Sequence, residues 1–277
     1  MLLNTMLKAQ GSHFTRISDG GQTFTIEYQW VGSANPDAPL LIFLHEGLGS
    51  VSHWGSWPDY LATHLQCRGL VYSRVGYGQS TPRDSHDALE TDYLHSEAQV
   101  RLPALLHALG LQHKQPIVFG HSDGATIALL YAAMANSPVK AAIVVAPHIN
   151  VEDLTQRSVA ESADWYLNKG LKQRLARYHA DVDSTFWNWC NAWSSERFKD
   201  WNIEAELEHI QCPLLLVQGD EDEYASLEQV YGVQRRVPHA ELMIMPRVRH
   251  VPHIERPEVL RDACATFIQA VLVQQSS

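Results

Sequence analysis

The chain has 277 residues, of which 45% are hydrophobic and 19% are charged, a composition typical of a globular enzyme with one or two domains and a sizeable core. Its 31 acidic and 21 basic residues give a formal net charge of -10. This balance argues against nucleic acid and anionic membranes as partners, because clustered lysines and arginines bind both. The four cysteines lie far apart without a CxxC pair, so they predict reduced thiols and neither a zinc site nor a disulfide framework.

The N-terminal stretch, MLLNTMLKAQGSHF, begins with a few apolar residues but has no basic region and no long apolar core. It therefore does not match a secretory signal. No window of the sequence approaches the ~18 apolar residues that a membrane span needs. We expect a cytoplasmic protein without a membrane partner.

Residues 24–30, FTIEYQW, alternate in polarity and predict a half-exposed antiparallel strand. The next run, PLLIFLH at 39–45, is apolar throughout and predicts a strand that is covered on both faces. Five later runs share this character: GLVYSR at 69–74, PIVFGH at 116–121, AAIVVAP at 141–147, PLLLVQG at 213–219 and ELMIMP at 241–246. Because helical patterns separate these runs, we predict an α/β fold with a mostly parallel sheet and a site beyond the carboxyl ends of its strands.

Residues 150–210 break this alternation, because they contain no apolar strand but five tryptophans and interleaved charges at helical spacing. We interpret this segment as a helical cap inserted late in the sheet. It divides the core into residues 1–149 and residues 211–277. Most of its aromatic residues are expected to pack the cap onto the core, but ligand pockets are largely apolar and aromatic. Trp165 and Trp187 are the candidates for binding substrate.

The sequence GHSDG, residues 120–124, lies between an apolar run and a helical pattern. A serine flanked by glycines at such a junction is typical of a nucleophile elbow, where the serine occupies a strained position at the apex of a sharp turn. Larger neighbours would collide with the strand and the helix. Ser122 is therefore the candidate nucleophile, at a helix N-terminus whose dipole favours developing negative charge.

A serine nucleophile needs a base to take its proton and a carboxylate to orient that base. Two loops downstream follow predicted strands and can reach the same edge of the sheet as Ser122. The first loop, GDEDEYA, offers three acids, which are Asp220, Glu221 and Asp222. The second loop, PRVRHVPHIERP, offers two bases, which are His250 and His253.

From about residue 24 to the C-terminal helical pattern, the chain resembles the α/β-hydrolase superfamily. Two family patterns, Gly-x-x-Asp and His-(four residues)-Glu-x-Pro, fall on Gly219 and Asp222 and on His250, Glu255 and Pro257. The resemblance implies an eight-stranded, mostly parallel sheet flanked by helices, with Asp222 as the orienting acid and His250 as the base. Asp220 is the substitute for the acid and His253 the substitute for the base. The chain departs from the family at Arg249, where a glycine usually precedes the histidine.

The loop HEGLGSVSHW, residues 45–54, resembles the family's His-Gly-x-Gly-Gly loop, which supplies an amide to the oxyanion hole. Aligned in this way, the amides of Gly47 and Asp123 are the two donors, and a shift of one residue replaces Gly47 by Glu46. The carboxylates of Glu46 and Asp123 would oppose a developing negative charge if they pointed at it. We expect them to bond backbone amides or Arg74, the alternative being that they repel anionic substrates. Glu46 is also a candidate for binding substrate, and His45 is expected to bond the loop.

The complete set of nucleophile, base, acid and glycine loop predicts a serine hydrolase that cleaves a carboxylic ester or a related small acyl compound through an acyl-enzyme. The same triad resembles those of C–C hydrolases for meta-cleavage products, amidases, acyltransferases and perhydrolases. A cofactor-independent dioxygenase and a non-catalytic ligand receptor on the same fold are the more remote alternatives. We expect no metal and no organic cofactor, and the sequence does not specify an oligomeric state.

Overall fold

The computed structural model describes residues 11–84 and 89–274, so the predicted features of residues 1–10 lie outside the described residues. Eight strands form one sheet in the order β1-β2-β4-β3-β5-β6-β7-β8. Their bounds are β1 His13–Asp19, β2 Gln22–Gly32, β3 Leu40–Leu44, β4 Arg68–Tyr72, β5 Ile117–His121, β6 Ala141–Val145, β7 Leu214–Gly219 and β8 Glu241–Met245. This sheet confirms the predicted fold.

The sheet is antiparallel at one edge and parallel elsewhere. Strand β2 pairs antiparallel with both β1 and β4, whereas β4, β3, β5, β6, β7 and β8 run parallel. The alternating segment 24–30 lies within β2, as the period of two predicted. Strand β1 has only Ile17 fully buried, and the sequence analysis missed this edge strand because its pattern is too weakly apolar.

The central strands bury both of their faces. In β3, Ile42 and Leu44 pack into one hydrophobic cluster, whereas Leu41 and Phe43 pack into the other on the opposite side of the sheet. Strand β8 is the exception, because it lies at the sheet edge and only Met245 is buried. The prediction of a strand at residues 241–246 is therefore right in its position, but the prediction that both faces of this strand are covered is wrong.

Helices cover both sides of the sheet. Their bounds are α1 Trp57–His64, α2 Tyr93–Ser96, α3 Leu102–Ala108, α4 Asp123–Ala132, α5 Asp153–Asn168, α6 Leu171–Leu175, α7 Val182–Trp193, α8 Glu204–Leu207, α9 Glu228–Arg236, α10 Pro252–Glu255 and α11 Pro257–Gln274. A π-helical turn, Glu97–Arg101, joins α2 to α3, and a 3-10 turn, Glu196–Phe198, follows α7. Among the described residues, no helix combines the length and the apolar character that crossing a membrane requires.

Helices α5 to α8 lie between β6 and β7, and we keep the name cap for residues 150–210. Aromatic pairs hold the cap together: the rings of Tyr166 and Phe186 stack with centroids 3.9 Å apart, and those of Phe198 and Trp201 stack at 5.2 Å. Stacked and edge-to-face pairs of this kind stabilise a packed aromatic cluster. These aromatic residues belong to the same hydrophobic cluster as one face of the central strands, so the cap packs directly onto the core.

Candidate active site

Ser122 lies between β5 and α4 with φ 53° and ψ -119°, a backbone conformation that non-glycine residues rarely adopt. The two flanking residues must be glycines, because neither position has room for a side chain. A Cβ on Gly120 would lie 2.2 Å from the carbonyl oxygen of Gly124, and a Cβ on Gly124 would lie 1.9 Å from the carbonyl oxygen of Leu44. The turn therefore has the tight, strained geometry of a nucleophile elbow, with the serine at its apex.

Asp222 and His250 form a carboxylate–imidazole pair. The Nδ1 atom of His250 lies 2.9 Å from both carboxylate oxygens of Asp222, so its N–H donates to that carboxylate and Nε2 is left free to accept a proton. The Asp222 side chain is 1% exposed, and its Oδ1 accepts hydrogen bonds from the amides of Tyr224 and Ala225. These bonds fix the orientation of the acid, which in turn fixes the ring.

The charges of this pair depend on each other. Burial alone would lower the pKa of His250, but the charge of Asp222 and its hydrogen bond outweigh burial and raise that pKa above the ordinary 6.5. Burial raises the pKa of Asp222, but the same pairing dominates and lowers it below 3.8. The carboxylate is therefore ionised near neutral pH, and it stabilises an imidazolium on His250.

Ser122 and His250 line the same cavity, which has a volume of about 340 Å³. Each residue is 8% exposed, so the serine is not sealed inside the protein. Within the described residues, the hydroxyl of Ser122 makes no hydrogen bond. Catalytic hydrogen bonds are often long in unliganded enzymes and shorten when substrate binds.

The alternative acid, Asp220, and the alternative base, His253, do not form such a pair. Asp220 is exposed, and its Oδ1 accepts a hydrogen bond from the Arg247 amide at 2.6 Å without contacting His250. His253 is buried and lines the cavity, where its ring packs 5.0 Å from that of Trp54 without a carboxylate partner. The geometry thus favours Asp222 and His250, although their catalytic roles stay a prediction.

His121, which precedes Ser122, bonds the loop that carries His250. Its Nε2–H donates to the backbone carbonyl oxygen of His250 at 2.8 Å. Burial lowers the pKa of His121 to about 4, so the ring is neutral. This contact links the elbow directly to the loop that carries the base.

The loop after β3 presents unpaired amides to the cavity. In the described part of the chain, the amides of Gly47 and Asp123 donate no hydrogen bond, and both residues line the cavity near Ser122. The amide of Glu46 is also free of partners in that part of the chain, so the choice of Gly47 over Glu46 stays a prediction. Gly47 lies directly against the cap, because a Cβ on it would lie 2.2 Å from Nε1 of Trp189.

Substituting Gly47 by alanine is expected to lower kcat/KM for an ester by about 100-fold, the usual effect of losing one oxyanion donor. The added methyl group would collide with the Trp189 indole, so the loop or the indole must move. Steady-state kinetics would measure the loss. Gly11→Ala is the matched control, because a Cβ there meets nothing within 4 Å. Unchanged kinetics in Gly47→Ala would remove this loop from the reaction.

The carboxylate of Glu46 bonds its own loop. Its Oε2 accepts from the Leu48 amide at 2.5 Å, and its Oε1 lies 3.0 Å from Nδ1 of His53. Burial would raise the pKa of Glu46, but the hydrogen bond and charge of His53 outweigh burial and lower it. Glu46 also lines the cavity, so its predicted role in binding substrate stays open.

The carboxylate of Asp123 is held by buried partners beneath the elbow. Its Oδ2 accepts from the hydroxyl of Tyr93 at 2.8 Å and lies 3.5 Å from Nη2 of Arg74. Trp193 Nε1 in turn donates to the Tyr93 hydroxyl at 3.0 Å, which joins the cap to the elbow. Arg74 also donates to the carbonyl oxygens of His45 and Glu46, so one guanidinium contacts both the loop after β3 and the elbow.

The structure does not bring Trp165 or Trp187 to the cavity. Trp165 is 46% exposed and packs against the cations of Lys169 and Arg174. Trp187 packs edge-on against Phe186 within the cap. The cap tryptophans that line the cavity are Trp189 and Trp193, one helical turn apart on α7. The structure therefore does not place the predicted substrate-binding residues Trp165 and Trp187 at the cavity. The sequence pattern does not show which face of α5, which carries Trp165, or of α7, which carries Trp187, points inward.

The cavity is also lined by hydrogen-bonding residues that the sequence analysis did not assign to the site, among them Trp189 and His148. Trp189 lies on α7, and His148 follows β6 at the carboxyl edge of the sheet. The rule that residues beyond strand ends converge on the site could have found His148. No comparable signal exists for Trp189, whose position depends on the packing of the cap.

A comparison with protein families matches residues 41–263 to the alpha/beta hydrolase family, and the chain belongs to that family. It is 28% identical to a protein of Pseudomonas savastanoi pv. phaseolicola named "Putative carbamate hydrolase RutD", over 84% of this chain and 95% of the relative. It is 23% identical to the serine hydrolase BPHL of Mus musculus, over 93% of this chain and 82% of that relative. A solved structure from work on carboxylesterases of Nitrososphaera gargenis has the same fold, with a TM-score of 0.72 at 18% identity, covering 94% of this chain and 99% of the other.

Proposed function

We propose that the protein is a serine hydrolase that cleaves small, uncharged carboxylic esters through an acyl-enzyme. The observation that carries this proposal is the geometry of one cavity, which is lined both by the strained Ser122 and by His250, already paired with Asp222 at 2.9 Å. This geometry supports a serine–histidine–aspartate triad, the set of groups that acyl transfer needs.

In the proposed reaction, His250 Nε2 takes the proton of the Ser122 hydroxyl as its oxygen attacks the substrate carbonyl. The amides of Gly47 and Asp123 donate to the oxyanion that forms. His250 then gives its proton to the leaving alcohol as the carbon–oxygen bond breaks, which leaves an acyl group on Ser122. Water, deprotonated by the same ring, then attacks the acyl group, the bond from the acyl carbon to the Ser122 oxygen breaks, and His250 returns the proton to that oxygen as the carboxylic acid leaves.

The charge of the cavity supports an uncharged substrate. Among the described residues, no lysine or arginine lines this cavity, whereas Glu46 contributes an ionised carboxylate. The imidazole of His53 also lines the cavity, but it is already paired with Glu46 at 3.0 Å. An anionic acyl group would therefore enter without a free cationic partner, and burying an unpaired charge is costly. The products of meta-cleavage carry a carboxylate, so this feature disfavours the C–C hydrolase alternative.

Hydrolysis of a carbamate or an amide is the second candidate. It is favoured by the 28% identity to the relative whose name includes a carbamate hydrolase. Carbamates and amides pass through the same kind of oxyanion, after which an amide leaves an acyl-serine and a carbamate that loses its alcohol leaves a carbamoyl-serine. They differ from esters in the nitrogen bonded to the carbonyl carbon and, for amides, in the poorer leaving group.

A substrate panel tests the proposal. We expect p-nitrophenyl esters of two to eight acyl carbons to be hydrolysed with kcat/KM at least about 10⁴ M⁻¹s⁻¹ for the best of them, the low end of the usual enzyme range. The matched p-nitroanilides and p-nitrophenyl carbamates form the second and third arms. If the carbamates are hydrolysed in preference to the esters, carbamate hydrolysis would replace ester hydrolysis as the proposed function. Failure of folded enzyme to turn over any ester would contradict the ester proposal.

A further inference from the structure

The imidazole of His148 is a polar group in the cavity that the proposed reaction does not use. The residue is 3% exposed and lines the cavity, with its ring centroid 6.0 Å from that of His250. Its Nδ1 is enclosed by protein and has no hydrogen-bond partner in the part of the chain that the structure describes. Its Nε2 likewise bonds no described residue. A buried polar group left in this state costs about 1–3 kcal/mol, so such groups are usually bonded to protein, water or ligand.

The ring is held firmly where it is. The Thr126 hydroxyl donates to the His148 carbonyl oxygen at 2.6 Å and lies 3.2 Å from the His148 amide nitrogen. The ring also packs 4.9 Å from that of Trp193 in the cap. These contacts fix the backbone on one side and the ring on the other. The imidazole therefore cannot turn easily towards another partner in the protein.

The surroundings of His148 also determine which ring nitrogen faces the cavity and whether the ring is protonated. Burial lowers the pKa of His148 to about 3, so the ring is neutral at any pH at which the enzyme is expected to work. A neutral imidazole carries one N–H. Because Nδ1 is enclosed without an acceptor, the N–H is best placed on Nε2, the nitrogen that is left to face the cavity.

We propose that His148 is a substrate-binding residue whose Nε2–H donates to an uncharged acceptor oxygen of the substrate close to the scissile ester bond. An ether, hydroxyl or second carbonyl oxygen would serve. The proposal rests on the proposed function and deepens it, because it selects oxygen-substituted esters over purely hydrocarbon ones. A ring 6.0 Å from the base places the oxygen within a few bonds of the reacting carbon.

Two matched substrate pairs test this subsite. On the acyl side, p-nitrophenyl methoxyacetate is compared with p-nitrophenyl butanoate; on the alcohol side, 2-methoxyethyl acetate is compared with butyl acetate. Each pair exchanges one methylene for an oxygen at nearly constant size. The ratio of kcat/KM within a pair is measured for the wild type and for His148→Phe. Intrinsic reactivity cancels when the two ratios are divided.

We expect His148→Phe to reduce the preference for the oxygen-bearing ester by about three- to tenfold in one pair, the effect of one hydrogen bond to an uncharged acceptor. The pair that responds identifies the side of the ester on which the oxygen lies. His148→Gln, whose amide can place an N–H near the same point, is expected to restore at least part of the preference. Leu171→Ala, which enlarges the cavity without removing a polar group, is the control and should leave both ratios unchanged.

Unchanged ratios in both pairs would overturn the proposal. A role of His148 in merely positioning His250 would lower both members of a pair equally, so it would not move the ratio. If His148→Phe does not fold, His148→Leu supplies the same comparison. Failure of the proposed function would be distinct, because the wild type itself would then turn over neither member of either pair.

Discussion

Replacing Ser122 with alanine is expected to lower kcat for the best p-nitrophenyl ester by about 10⁴-fold or more, the usual consequence of removing the nucleophile from a serine triad. Alanine has the same backbone restrictions as serine, so the strained turn at φ 53° should form as before. The hydroxyl makes no hydrogen bond to any described residue, so its removal should change the melting temperature little. Progress curves and thermal unfolding would measure the two effects.

Ser18→Ala is the matched control for this experiment. Ser18 is exposed on the edge strand β1 and does not line the cavity, so its removal should leave kcat unchanged. Ester turnover by Ser122→Ala within tenfold of the wild type would refute the nucleophile. A large loss in both variants would point to damage that is unrelated to the site.

Replacing Asp222 with asparagine is expected to lower kcat by about 10³- to 10⁴-fold. The carboxylate accepts the Nδ1–H of His250 at 2.9 Å and stabilises the imidazolium that forms during the reaction. An asparagine amide carries no charge and can donate to Nδ1, which would favour the wrong tautomer of the ring. Steady-state kinetics with the ester substrate would measure the loss.

Asp220→Asn is the control, because Asp220 is exposed and its carboxylate bonds only the Arg247 amide in the described residues. It should lower kcat by no more than a few-fold. The reverse pattern, with Asp220→Asn inactive and Asp222→Asn active, would transfer the role of the acid to Asp220. Comparable losses of kcat in both variants would contradict the assignment of Asp222 as the acid that orients His250.

The pH dependence of kcat/KM in the wild type also tests the pairing of Asp222 with His250. Only neutral His250 can act as the base, so kcat/KM should be full above the pKa of His250 and fall as pH drops below it. Because Asp222 raises that pKa above 6.5, the acid limb should have its midpoint above 6.5. The residual activity of Asp222→Asn should show a midpoint at lower pH. An unchanged midpoint would contradict the coupling of the two groups.

The features that follow local rules could be predicted from the sequence. The buried strands are recognisable because parallel strands covered on both faces are apolar throughout, as in β3 and β5. Ser122 could be located because an elbow requires small neighbours, and the structure leaves no space for a Cβ at Gly120 or Gly124. Asp222 and His250 required the family resemblance, since spacing alone left several acids and bases open.

The features that depend on packing could not be predicted. Trp187 and Trp189 are two residues apart on α7, and which of them faces the cavity depends on how α7 is rotated against the core. The partial exposure of β8 depends on its place at the edge of the sheet, which its apolar residues do not reveal. The free nitrogens of His148 likewise depend on neighbours that are distant in sequence.

Labelling with a fluorophosphonate probe, followed by mass spectrometry of the peptides, tests most directly whether the hydroxyl at the elbow is an activated nucleophile. We expect one covalent phosphonate per chain on Ser122, formed faster above the pKa of His250 than below it, together with loss of ester turnover. A folded protein that stays unlabelled, or one that carries the label elsewhere and keeps hydrolysing esters, would contradict it.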